Sequence, residues 1–428
     1  MQEISVSLVL SYFWKIIAAW WWLFFPFLIF QPARYLYRFY LIEKWDATQK
    51  RVVLEIKIPK EILKPIRAMD QVFAGFHGIH DIATWREKWV EGVYQLSLSF
   101  EIVSRGGEIH FYIRTPEVFR SFIESNIYSQ YPEAEISLVD DYTKYVPQDI
   151  PNKDWDLWGV DYINSKDEIY PIKTYRQFET ETEKEEEKRI DPLANLLEGL
   201  TTLKPDEQFW IQIVAKPVLG RDKPWQERGR ALADRLAKRP ATPKPKSMIQ
   251  EAAQILITGK VPEEKKPEEG LELIAPELRL TPGEKEILTA VEAKLAKFGY
   301  DCNVRFIYLG KREVFFKPTT KIGFGFLKAV STENLGGLKP LTKTMTKVKS
   351  VPFWFLDKRR YYLRQRRIFR YYKSRLPTLF PRLGRTYILN TEELATLYHF
   401  PGEMVAPAMG LARVEVKKGG PPSELPIE

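Results

Sequence analysis

An α+β fold behind a membrane helix is what the sequence predicts, and three observations lead there. Residues 4–30 form an almost unbroken apolar and aromatic run. Between residues 51 and 139, short segments of strand character interleave with two segments of helical spacing. From Lys339 to Arg385 the chain carries fifteen Lys or Arg and one acid, Asp357.

The apolar run is read as a single transmembrane helix. A span needs about 20 mostly apolar residues, and residues 8–30 at about 1.5 Å per residue would reach roughly 35 Å. Lys15 is the one charge inside it, able to snorkel from an off-centre position. Trp14, Lys15, Trp20, Trp21, Trp22, Phe24 and Phe25 are its expected contacts with lipid. Upstream there is Glu3 and no basic side chain, whereas Arg34, Arg38, Lys44, Lys50 and Arg51 follow. Positive-inside bias therefore predicts a single-pass protein of the cytoplasmic membrane with its C-terminal body in the cytoplasm. The run lacks the basic start and small-residue cleavage site of a signal peptide.

Composition bounds the remainder. The 428 residues are 44% hydrophobic and 14% aromatic, enough for real cores. The single cysteine, Cys302, excludes an intramolecular disulfide framework and is expected to be a packing residue. Net charge is +9, but residues 339–385 alone carry +14, so the rest of the chain is −5.

Residues 51–58 alternate as a strand; 66–79 place Met69, Val72, Phe73 and Phe76 on one helical face. Residues 94–102 and 108–113 read as strands joined by a turn at Ser104-Arg105-Gly106-Gly107. Thr115-Pro116-Glu117 has the form of a helix start, threonine capping and proline at the first position. The helix carries Phe119, Phe122, Ile123 and Ile127 to a stop at Pro132, and 135–139 is a last strand. The order β-α-β-β-α-β is the ferredoxin-like, split βαβ arrangement.

A second module repeats the plan loosely: strand 168–174, helix 191–203, strand 207–217, helix 281–298 behind the capping box Thr281-Pro282-Gly283-Glu284, strand 302–309. An insertion at 239–276, rich in Pro, Lys and Glu, reads as solvated linker around a short helix, 247–258. The expected division is anchor and juxtamembrane segment 1–45, first module 46–150, second module 151–338, and a basic C-terminal segment 339–428.

Residues 353–376 carry the most suggestive chemistry. Helical spacing sets Phe355, Tyr361, Tyr362, Ile368, Phe369, Tyr372 and Leu376 along one stripe. Arg359, Arg360, Arg364, Arg366, Arg367, Arg370 and Lys373 crowd the other surface. Such a helix lies on an anionic bilayer, grips a nucleic-acid backbone with aromatic partners, or meets an acidic protein. The membrane reading gains from the anchor, with nucleic acid close behind.

Catalytic signals are thin. No phosphate-binding loop occurs: Gly259-Lys260 lacks the upstream glycine and the hydroxyl. His77 and His80 stand three apart on a helical segment, and His110 and His399 stand alone; all are expected to be ordinary surface or packing residues rather than ligands. Asp140-Asp141 resembles a loop pair more than an acid–base dyad. No enzyme activity, cofactor or metal is expected.

Two groups of segments carry a resemblance: Glu108–Pro116 with Phe122–Pro132, and Asn334–Pro340 with Tyr387–Pro401. They are similar to the membrane-proximal region of bacterial type IV secretion and conjugation-type ATPases, the coupling-protein-like motors, and the likeness runs from about residue 50 onward. In those proteins this region leads into a RecA-like motor, whereas the present chain stops at Glu428. The resemblance implies a membrane-anchored, non-catalytic scaffold of a type IV secretion or conjugative DNA-transfer machine, homo-oligomeric and supporting a separate secretion-type ATPase. The alternative is a membrane-tethered nucleic-acid-binding protein with no motor partner.

Overall fold

The computed structural model describes residues 6–59, 64–178, 191–220, 223–239, 280–348, 354–375 and 386–402. The chain divides into two units, Met1–Arg51 with His80–Leu96, and Val52–Ile79 with Ser97–Glu428.

The first unit is built on helix α1, Val6–Thr48. Its C-terminal part is tied to the 80–96 segment by aromatic and charged contacts. Arg34 and Arg38 lie over the Trp89 ring at 5.6 and 5.4 Å. Trp45 meets Tyr94 edge-on at 5.3 Å, and Asp46 accepts from both Arg51 and Tyr94. Gly92, at φ 80°, lies where a Cβ would strike the Leu41 carbonyl, which requires glycine.

Among the described residues no helix is long and apolar enough to cross a membrane. The transmembrane helix predicted for the N-terminus is therefore corrected, and with it the single-pass placement in the cytoplasmic membrane. α1 has the length, but its sequence is aromatic rather than aliphatic. Tyr12, Trp14, Trp20, Trp21 and Trp22 bring polar O–H and N–H groups. Lys15 interrupts the run, and Gln31, Pro32, Arg34 and Arg38 follow within the same helix. Treating tryptophan and tyrosine as equivalent to leucine overstates its apolarity. Of the residues expected to meet lipid, Trp14 is 71% exposed, Trp20 54% and Phe25 52%. Lys15 is also exposed and lies over the Tyr12 ring; the side chains of Trp21, Trp22 and Phe24 lie outside those described.

The second unit is α+β, organised on one antiparallel sheet. Its first half runs β1 Arg51–Lys57, α2 Ile66–Phe76, β2 Leu98–Arg105, β3 Glu108–Pro116, α3 Arg120–Gln130 and β4 Glu135–Val139. The second runs β5 Trp155–Asn164, α4 Tyr175–Phe178, α5 Ala194–Thr201, β6 Glu207–Val218, α6 Trp225–Leu236, α7 Pro282–Leu295, β7 Gly299–Lys311, α8 Lys321–Ala329 and β8 Leu338–Pro340. Then come α9 Asp357–Ser374, β9 Tyr387–Asn390 and α10 Thr391–Leu397.

Strand order is β4-β1-β3-β2-β6-β7-β5-β8, with β9 beside β7. Read from either end, each half has the order fourth-first-third-second, the split βαβ order. The halves meet edge to edge where β2 pairs β6 antiparallel from Leu98↔Ala215 to Arg105↔Gln208. The two modules thus share one sheet instead of standing as separate bodies.

Several local expectations are corrected. The first strand of the second module is β5, not residues 168–174, which form turns and irregular chain; β5 contributes the buried Leu157, Trp158, Val160 and Tyr162. Thr115 and Pro116 end β3 rather than start a helix, and α3 begins at Arg120 after one 3₁₀ turn. The turn after β2 centres on Gly106 and Gly107, both at positive φ, as a two-residue hairpin demands. The capping box at Thr281 is present. The helix expected at 247–258 lies outside the described residues.

One face of the sheet carries α2, α3, α5, α8 and α10 over the larger core, with Phe73, Phe100, Ile127, Leu197, Phe306 and Phe326 among its members. Every residue of α10 is buried. Asn390 caps it in a box with Glu393. Glu393 also accepts from the Ile172 amide at 2.8 Å and pairs with the fully buried Lys294 at 3.0 Å. Removing one partner of a buried ion pair leaves the other uncompensated. Glu393→Ala is therefore expected to lower stability by about 3 kcal/mol or more, read as a fall in the urea midpoint with unchanged slope; an unmoved midpoint would contradict this role.

Candidate nucleic-acid interface

The opposite face of the sheet is covered by α9 and the 142–150 segment. Ile368, Phe369 and Tyr372 enter a second core with Val103, Trp210 and Ile307. With Gln365 they recur at i, i+3, i+4 and i+7, one side of a helix. The buried stripe is narrower than the sequence suggests: Phe355 is 64% exposed and Tyr362 44%, and Leu376 lies outside the described residues.

Beneath α9 runs a buried polar row. Tyr112, Glu101, Gln212, Arg305 and Asp161 are successive partners across β3, β2, β6, β7 and β5, so their side chains share one face. Arg305 pairs with Asp161 at 3.0 Å. Glu101 accepts from Ser99 and Tyr142 at 2.6 Å each and from Gln212 at 2.9 Å. The helix closes on this row through Arg375, its left-handed C-cap at φ 53°. The guanidinium grips Glu101 at 2.9 and 3.1 Å and reaches Asp141 at 2.5 and 3.0 Å. Tyr372 meets the Tyr142 hydroxyl at 2.8 Å, and Gln365 donates to the Leu157 carbonyl and to Asp156. Burial opposes ionisation of Glu101, but the Arg375 guanidinium outweighs it and holds the carboxyl below its ordinary range.

The outward side of α9 is basic. Arg359, Arg360, Arg366, Arg367 and Arg370 are exposed, with Tyr362 and Leu363 between them. Arg359, Arg366 and Arg370 fall along one line, spanning about 16 Å of helix. Arg364 is structural: it donates to the carbonyls of Thr342, Met345 and Lys347. Arg366 donates to the Asp149 carbonyl and stacks on Tyr362. Lys373 bonds Gln148 and covers the Phe369 ring. Burial, then the neighbouring Arg367 and Arg360, pull Arg364 below its usual pKa; burial and Arg366 do the same to Lys373. Crowded like charges of this kind favour a polyanionic partner.

Beside the row, on the first half of the sheet, a cleft of about 450 Å³ is lined by Glu55, Lys57, Arg105, His110, Tyr112 and Tyr145, among others. His110 is not alone: its Nδ1 is 2.6 Å from Glu55, whose carboxyl is held low by that bond despite burial. His399 is buried against Asp191 at 3.0 Å and the Ala395 carbonyl at 2.8 Å. His77 stacks on Phe298 in the second unit, whereas His80 belongs to the first. Among the described residues no group of three or more His, Cys, Asp or Glu is placed to hold a metal.

Of the seven basic residues singled out from the sequence, four (Arg359, Arg360, Arg367 and Arg370) present outward on α9. The other three (Arg364, Arg366 and Lys373) are bonded to flanking loops. Sequence reasoning misses the anchors Glu101, Gln365 and Arg375. Their partners lie up to 274 residues away, and the one local hint is a glutamate between the apolar Phe100 and Ile102.

The family described as "Domain of unknown function (DUF8128)" matches residues 43–317. The chain belongs to the DUF8128 family. The DUF8128 match runs from the end of α1 through β7, and α9 lies beyond it. Comparison with curated proteins gives no match.

Glu101 has a depressed folded pKa, so its contribution to stability is complete above the unfolded carboxylate value, about 4.3, and is lost as pH falls through the folded value. Glu101→Gln is expected to cost about 3 kcal/mol at pH 7 and to flatten the loss of stability in acid. Urea midpoints measured from neutral to acid pH check both; a variant as acid-sensitive as the parent would contradict the pairing.

Proposed function

We propose that the chain is a non-catalytic scaffold of a DNA-transfer machine of the type IV secretion kind, holding nucleic-acid phosphates on α9 while a separate ATPase supplies the work. The observation that carries this reading is the outward group of Arg359, Arg367 and Arg370 on a helix whose inner side is pinned to the sheet. A pinned helix presents guanidinium groups at fixed spacing, and guanidinium geometry matches phosphate. Phosphate neutralisation supplies affinity without sequence preference, which suits cargo of arbitrary sequence. The resemblance of residues 108–132 and 387–401 to the pre-motor region of conjugation-type ATPases supports the transfer role.

A lipid surface offers phosphates too, and Trp354 with its Phe neighbours suits one, but the membrane span that also favoured it is not found among the described helices. Fluorescence anisotropy of labelled DNA with the purified full chain separates the two. Binding is expected to weaken steeply with salt, each duplex phosphate neutralised by the protein adding about 0.9 to the logarithmic slope. Arg359→Ala/Arg367→Ala/Arg370→Ala is expected to reduce that slope by about 2–3 without moving thermal stability. Indifference to DNA at low salt, with binding to anionic vesicles instead, would overturn the reading.

A further inference from the structure

The two ends of the sheet are not alike. At one end β8 has three residues, with exposed Lys339 and with Pro340, which has no N–H to donate. Both are devices that stop a strand from being extended. At the other end β4 pairs with β1 alone among the described strands. It carries no proline and no lysine, and Leu138 is 53% exposed. An open edge with an apolar exposed residue is a pairing site.

We infer that β4 is a docking edge for β4 of a second copy of this chain, paired antiparallel about Ser137. Among the described strands, a head-to-tail arrangement would need the β8 edge, which Lys339 and Pro340 close, or that of β9, whose four residues are all buried. The arrangement left is two-fold, with the axis normal to the sheet. That axis puts the helix-bearing faces of both copies on the same side, so directly opposed residues must share a face. Register about Ser137 satisfies this for the whole strand. Ile136 meets the partner's Leu138 on the side where Leu54 and Ile56 enter the larger core. Glu135 meets the partner's Val139 on the other side, so the one charge of the strand faces no like charge. Ser137 meets its own copy. The fold already joins like modules in this way, since its two halves meet edge to edge at β2 and β6.

The test is cysteine cross-linking of the full chain. Opposed residues of an antiparallel pair lie about 4.5–5.5 Å apart at Cα, within disulfide reach. Ser137→Cys is expected to give a disulfide-linked dimer on mild oxidation. Glu135→Cys, about 14 Å from its counterpart in this register, is expected to give none, and neither is the parent, whose Cys302 is buried. Adding Leu138→Lys to Ser137→Cys is expected to cut the yield about tenfold with an unchanged melting temperature. Absence of the Ser137→Cys dimer, equal dimer from Glu135→Cys, or a yield unmoved by Leu138→Lys in a folded protein would each overturn the proposal.

Discussion

The grip of Arg375 on Glu101 is what the α9 side of the sheet depends on. A split βαβ sheet has helices on one side and leaves the other open. Here that open side holds a line of charged and polar side chains, Glu101, Gln212, Arg305 and Asp161, that is costly to bury unless paired. α9 solves both problems together. Its apolar side fills the space above Trp210 and Ile307, and its terminal arginine neutralises the glutamate at the join between the halves. Because the inner side is fixed by these requirements, the outer side is free to carry charge that packing does not need.

The same logic holds on the other face. α10, buried throughout, enters the larger core beside α2, and Glu393 connects it at once to its own cap, to the Ile172 amide and to Lys294. Elements remote in sequence close both faces of the sheet. The matched region ends at residue 317, before α9 and α10, so the parts that complete the two cores lie beyond it.

Much of the sheet is legible in the sequence because its signals are local. Alternation marks β1, β4, β6 and most of β7, paired glycines mark the β2–β3 hairpin, and the Thr281 capping box marks α7. β5 escapes such a reading because Asp156, Gly159 and Asp161 interrupt its apolar residues, although the strand is buried on both faces. The α9 arginines are visible as composition; their division into outward and loop-bound groups is not, since it depends on the 148–149 and 342–347 loops. The N-terminal helix misleads for a different reason: aromatic bulk and aliphatic hydrophobicity are different quantities, and the run is rich in the first.

On the proposed reading, phosphate meets the protein on the outward side of α9. Arginine-selective modification of the full chain, mapped by mass spectrometry with and without DNA, tests it most directly. DNA is expected to shield Arg359, Arg367 and Arg370, while buried Arg375 stays unmodified in both states. Shielding confined to arginines elsewhere, or none at all, would contradict it.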